Sequence, residues 1–183
     1  MNRTANYVAF YVDEPFSESN LGAYGSYDFC YYQMLKAWKE KDPSFPFVDA
    51  HAKTYNVRDD SNWESTLKPR LHKRLSVSKN IILFLSSHTK ASRALAEEID
   101  YGMDSLGLPV IVIYPEFQDK SDISDGHNFA PKIGMLWNNL PVFKKLIGNV
   151  PTLHIPMKQE IVRKALSNNN FTIQSKCTAE LYI

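Results

Sequence analysis

One stretch decides the fold: Ser78-Lys-Asn-Ile-Ile-Leu-Phe-Leu-Ser-Ser-His-Thr-Lys-Ala-Ser-Arg-Ala-Leu-Ala-Glu-Glu98-Ile99, an apolar run followed by a polar turn and then a helical pattern. Ile81 to Leu85 is the most apolar segment of the chain. It is too short for a buried helix and reads as a central strand covered on both faces. From about Ala91 to Leu106 the period changes, because Ala91, Leu95, Ile99, Gly102 and Leu106 share one helix face. Gly107 is placed to end that helix in a left-handed turn, and after Pro109 the run Val110-Ile-Val-Ile113 reads as another strand. Strands joined by a helix pair in parallel, since a parallel neighbour needs a crossover of a dozen or more residues.

The same alternation extends outward. Asn6 to Val12 is a first strand that stops at Asp13-Glu14-Pro15, and Tyr31, Met34, Leu35 and Trp38 form one face of a helix ending at Asp42-Pro43. Phe45 to Ala50 reads as a short second strand, with Pro46 confining it to an edge. Leu67, Leu71 and Leu75 mark a helix that begins near Lys68, with Pro69 in its first turn. Beyond the fourth strand, Pro131 to Ile147 is helical with a break near Pro141, Thr152 to Ile155 is a fifth strand, and Lys158 to Leu166 is a last helix. The expectation is one domain over residues 1–183, with an extension from about residue 168. Its fold is α/β, a flavodoxin-like doubly wound five-stranded parallel sheet of order 2-1-3-4-5 with helices on both faces.

Composition narrows the partners. The 183 residues carry 21 basic and 20 acidic side chains, a net charge of +1, which gives no global reason to expect nucleic acid or an anionic membrane. Hydrophobic residues at 44% and charged residues at 22% fit a globular chain. The two cysteines, Cys30 and Cys177, lie far apart, no leader of secretory type opens the chain, and no apolar run approaches ~18 residues, so a reduced, cytoplasmic setting is expected. Gly-x-Gly-x-x-Gly, Walker and Gly-x-Ser-x-Gly motifs are absent, and the histidines at 51, 72, 88, 127 and 154 lack metal-ligand spacing, so no metal and no bound cofactor is expected.

In a sheet of order 2-1-3-4-5, ligands bind beyond the carboxyl ends of the strands where the order reverses. Tyr11 and Asp13 end the first strand, Ser86 and His88 follow the third, and Asp49 and His51 follow the second, so these six are candidate binding residues. Ser87 or Thr89 is also a natural helix cap. Glu98 lies about 60° from the centre of the apolar stripe, whereas Glu97 and Asp100 point outward. A carboxylate at that boundary either reaches water or is a desolvated group held for chemistry.

The stretch quoted above resembles the corresponding strand and helix of TIR domains, specifically the TIR-like proteins of the bacterial Thoeris anti-phage system. In that family an apolar strand is followed by Ser-x-x-[Thr/Tyr]-x-x-Ser and then a Glu before an apolar residue. Thr89, Ser92 and Glu98 match, while Ala94 stands where Trp is frequent. The resemblance covers about residues 6 to 115. It implies an enzyme that takes NAD as its substrate, cleaves the nicotinamide–ribose bond with Glu98 as catalytic residue, and makes an ADP-ribose-derived signalling nucleotide. It also implies a homo-oligomer when active, a separate effector that reads the small molecule, and a phage-derived trigger. The chemistry is consistent with this, since nicotinamide in NAD leaves without protonation and a carboxylate stabilises the ribosyl cation left behind. Two other readings are a catalytically silent TIR interaction module and a nucleoside deoxyribosyltransferase-like enzyme.

Overall fold

The computed structural model describes residues 3–12, 27–51 and 62–183. Five parallel strands form one sheet: β1 (Ala5–Ala9), β2 (Ser78–Phe84), β3 (Val110–Tyr114), β4 (Thr152–Pro156) and β5 (Leu181–Tyr182), in the order 1-2-3-4-5. The helices are α1 (Phe29–Lys41), α2 (Lys68–Ser76), α3 (Arg93–Ile99), α4 (Pro131–Asn138), α5 (Pro141–Leu146) and α6 (Gln159–Ser167). A π-helical turn, Trp63–Leu67, leads into α2, and another, Asp100–Ser105, continues α3 to the left-handed Gly107 at φ 62°. None of the helices described is long and apolar enough to cross a membrane.

Alternate residues along the strands face two separate cores. Tyr7, Ile81, Leu83, Val110 and Val112 meet Leu71, Leu75, Leu95, Ile99 and Phe143 from α2, α3 and α5. Val8, Ile82, Phe84, Ile111 and Ile113 meet Phe29, Tyr32 and Leu35 of α1 and Val162 and Leu166 of α6. Full burial of each such side chain contributes about 1.5–3 kcal/mol relative to exposure. Two cores on one sheet are why the central strands read as unbroken apolar runs.

The expected order 2-1-3-4-5 is corrected at both edges. Phe45 to Ala50, expected as the second strand, makes a single bridge, Asn6 with Asp49, through Asn6 N–H to Val48 O at 2.6 Å and Ala50 N–H to Asn6 O at 3.1 Å. Pro46 has no N–H to offer, and the Phe47 N–H turns back to Phe45 O at 2.8 Å, so the ladder cannot extend. The fifth strand comes from the tail, where Thr152 N–H donates to Glu180 O at 3.0 Å. Earlier in the tail, Asn80 Nδ2 donates to Phe171 O at 2.8 Å and Ile173 N–H to Lys79 O at 2.8 Å, closing the amino ends of the strands. The 45–50 segment still lies on the side of β1 away from β2, so the chain reverses direction across the sheet between β1 and β2. A crevice is expected there.

Gly102 sits in the wide turn after α3, where an added Cβ would fall 2.4 Å from Ile81 Cδ1 and 3.4 Å from Leu75 Cδ2. Gly102→Ala is expected to cost about 1–3 kcal/mol through overpacking, read as a lowered midpoint in chemical denaturation with an unchanged slope.

Candidate functional site

Glu98 is held on α3, whose first turn is capped by Ser92 Oγ accepting from the Leu95 N–H at 3.2 Å. The cap is therefore Ser92, not Ser87 or Thr89. Because Tyr7, Ala9 and Tyr11 alternate onto the α3 side of β1, the Tyr7 hydroxyl reaches Glu98 and donates to Oε1 at 2.7 Å. Tyr7 is 1% exposed, whereas Glu98 is half-buried. Protein surrounds the Glu98 carboxyl, while another part of the residue still meets solvent. Burial dominates its acidity and pushes its pKa up to about 8, against the opposing pull of the Tyr7 bond and the Arg74 charge.

His51 completes this group. It is buried, with its ring 4.6 Å from that of Tyr7, and the Val8 N–H donates to its Nε2 at 3.2 Å. Desolvation lowers its pKa to about 4, so the ring is neutral at physiological pH, although Asp49 pulls the other way. Asp49 fixes the turn that delivers His51, accepting from the His51 N–H at 2.8 Å and from the Tyr32 hydroxyl at 2.5 Å. Arg74 of α2 acts electrostatically on both Glu98 and His51.

A second group lies where β1 and β2 end. Ser86 and Thr89 donate to the buried carboxylate of Asp28, at 2.7 and 2.9 Å. His88 is exposed and stacks on Tyr27, with ring centroids 4.2 Å apart. Ser87 donates through both its N–H and its hydroxyl to Glu116 in the loop after β3.

Of the residues singled out in sequence, Glu98, His51 and Asp49 are thus linked through Tyr7, with Tyr11 on the same face of β1. Ser86 and His88 belong to the strand-end group instead, and Asp13 lies outside the described residues. Glu97, expected to point outward, bridges to α2, with Oε1 3.2 Å from Lys68 Nζ and 2.7 Å from His72 Nε2. Sequence reasoning passed over Tyr7 and Asp28. Tyr7 carried a signal, since a tyrosine in a strand buried on both faces needs a partner for its hydroxyl. Among the described residues no cluster of three or more His, Cys, Asp or Glu is arranged to hold a metal ion. A family model described as Thoeris protein ThsB, TIR-like domain, matches residues 7–120, a span that contains Tyr7, Asp28, His51, Ser86 and Glu98.

The raised Glu98 pKa has a cost in stability. Above its ordinary value of 4.5 the unfolded chain ionises this carboxyl while the folded chain retains the proton, so the destabilisation grows as pH rises from 4.5 to about 8. Glu98→Gln keeps an acceptor for Tyr7 and removes that cost. It is expected to raise stability by on the order of 1–3 kcal/mol at pH 8, a melting temperature higher by about 5 °C, with the gain vanishing near pH 4. Calorimetry of the two proteins across that range reads the difference.

Proposed function

The chain belongs to the Thoeris ThsB TIR-like family of anti-phage defence proteins, and from that membership we propose that it cleaves the nicotinamide–ribose bond of NAD in the cytoplasm. The ADP-ribosyl group passes to an acceptor, giving a signalling nucleotide that a separate effector reads. A phage-derived trigger and a second copy of the chain bring the enzyme to its active state. The observation that carries the reading is Glu98, a desolvated carboxyl on the α3 side of β1, held by the hydroxyl of a buried tyrosine.

The chemistry needs little from the protein beyond that carboxyl. Nicotinamide is cationic in NAD, so it departs as a neutral molecule with the bonding electron pair and needs no general acid. Positive charge develops on the ribose, and an ionised Glu98 stabilises it from a site where water screens little. In the free protein at neutral pH, Glu98 holds a proton. The cationic nicotinamide ribose favours the ionised carboxylate, so binding releases that proton and kcat/KM rises with pH up to about 8. Tyr7 orients the carboxylate and favours its ionised form. His51 backs the Tyr7 ring, and Arg74 adds positive potential nearby.

Mass spectrometry of wild type and variants incubated with NAD, with and without lysate of phage-infected cells, tests this. Glu98→Gln is expected to lower turnover by on the order of 10² or more, since one preorganised electrostatic group is worth a few kcal/mol in the transition state. Asp100→Asn is the control, because Asp100 is exposed whereas Glu97 is tied to α2. Tyr7→Phe is expected to retain activity reduced by about tenfold and to move the rise in kcat/KM to higher pH, the direction set by losing a bond that favours ionisation. Full NAD cleavage by Glu98→Gln would remove the assignment.

A further inference from the structure

Asp28 precedes α1 and is 1% exposed, yet its side chain makes no capping bond to that helix. An aspartate in this place ordinarily accepts from the amides of the first turn. Here both carboxylate oxygens turn the other way, Oδ1 to Ser86 Oγ at 2.7 Å and Oδ2 to Thr89 Oγ1 at 2.9 Å, and the Tyr11 N–H reaches the same group. The hydroxyls are themselves acceptors. The Ser86 N–H donates to Thr89 Oγ1 at 2.9 Å, and the His88 N–H to Ser86 Oγ at 3.2 Å. Each hydroxyl therefore sends its one proton to Asp28, and the network is satisfied by an acceptor-only group at its centre.

Three chain segments meet at that carboxylate: Tyr11 follows β1, Ser86 and Thr89 follow β2, and Asp28 opens α1. The tie also reaches the proposed catalytic group. Three residues beyond Thr89, Ser92 caps α3, so the tethered loop sets where that helix begins and where Glu98 falls along it. Thr89 and Ser92, matched in sequence as a family signature, are from this viewpoint two fixings of one loop.

We propose that Asp28 is a positioning residue for the site: through Ser86 and Thr89 it holds the loop after β2 against the end of β1, and so places Glu98 against the ribose. The proposal rests on the NAD-cleaving reading above. Asp28 touches no reacting atom and acts only through the loop it holds.

Asp28→Asn keeps the size of the side chain and brings two N–H donors to a point where donors already converge. It is expected to lower kcat for NAD cleavage by at least about tenfold while KM moves by less than about threefold, because a misplaced catalytic group costs the chemical step more than binding. The Ser86 and His88 amides should lose protection against hydrogen exchange. A merely structural role is separated by Val162→Ala on α6, which trims the opposite core and should keep kcat within about twofold at a temperature where both variants stay folded. If Asp28→Asn fails to fold, Thr89→Val removes one arm of the tether and leaves the carboxylate, with a severalfold loss of kcat expected. The proposal is overturned if Asp28→Asn, or Thr89→Val in its place, keeps full kcat, or if the loss is matched by Val162→Ala. A wild-type protein that leaves NAD intact even with lysate of phage-infected cells present removes the reading beneath it, whereas an active wild type with an equally active Asp28→Asn under the same conditions removes the proposal alone.

Discussion

Parallel pairing of β1 with β2, from Asn6 opposite Asn80 to Ala9 opposite Leu83, is the constraint on which the rest depends. It brings together two segments more than seventy residues apart in sequence and sets which side of the sheet each β1 side chain faces. With Tyr7 opposite Ile81, the tyrosine lies on the α3 side and its hydroxyl meets Glu98. A slip of one residue would turn Tyr7 toward α1 and put Val8 in its place, leaving the Glu98 carboxyl without its donor. The same pairing aligns the two strand ends, where Tyr11, Ser86 and Thr89 converge on Asp28.

Desolvation is the common currency of the site. Burial raises the pKa of Glu98 and Asp28 and lowers that of His51. The groups differ in what opposes it. Asp28 receives two hydroxyls and the Tyr11 N–H and holds the loop after β2, whereas Glu98 receives one hydroxyl and the field of Arg74. A carboxyl left in that condition is destabilising unless a ligand supplies positive charge, which is how a protein stores stability cost at a site of function.

Much of the fold could be read from the chain because β2, β3 and β4 are buried on both faces and the helices between them end at Gly107 or restart at Pro131 and Pro141. The edges could not. Phe45 to Ala50 has strand composition, but the turn around Pro46 limits it to one bridge, and β5 is two residues long, too short for any periodicity. At the candidate site, the helix pattern placed Glu98 beside an apolar stripe, and the resemblance singled it out. Tyr7 looked like one more aromatic filler. Asp28 gave no pattern, because its partners lie 58 and 61 residues away and the side chain ignores its own helix. Glu97 was misjudged because wheel arithmetic on a single helix does not know that α2 and α3 lie side by side.

The most direct measurement is the pKa of Glu98 itself, read by carbon NMR of the protein labelled at glutamate carboxyls, assigned with Glu98→Gln, and repeated with an NAD analogue that cannot be cleaved. A titration near pH 8 that moves downward when the cationic nicotinamide riboside end is bound is the predicted result. A titration near the ordinary 4.5, or one near 8 that the analogue leaves in place, would contradict the view that this carboxyl is kept desolvated to meet a ribosyl cation.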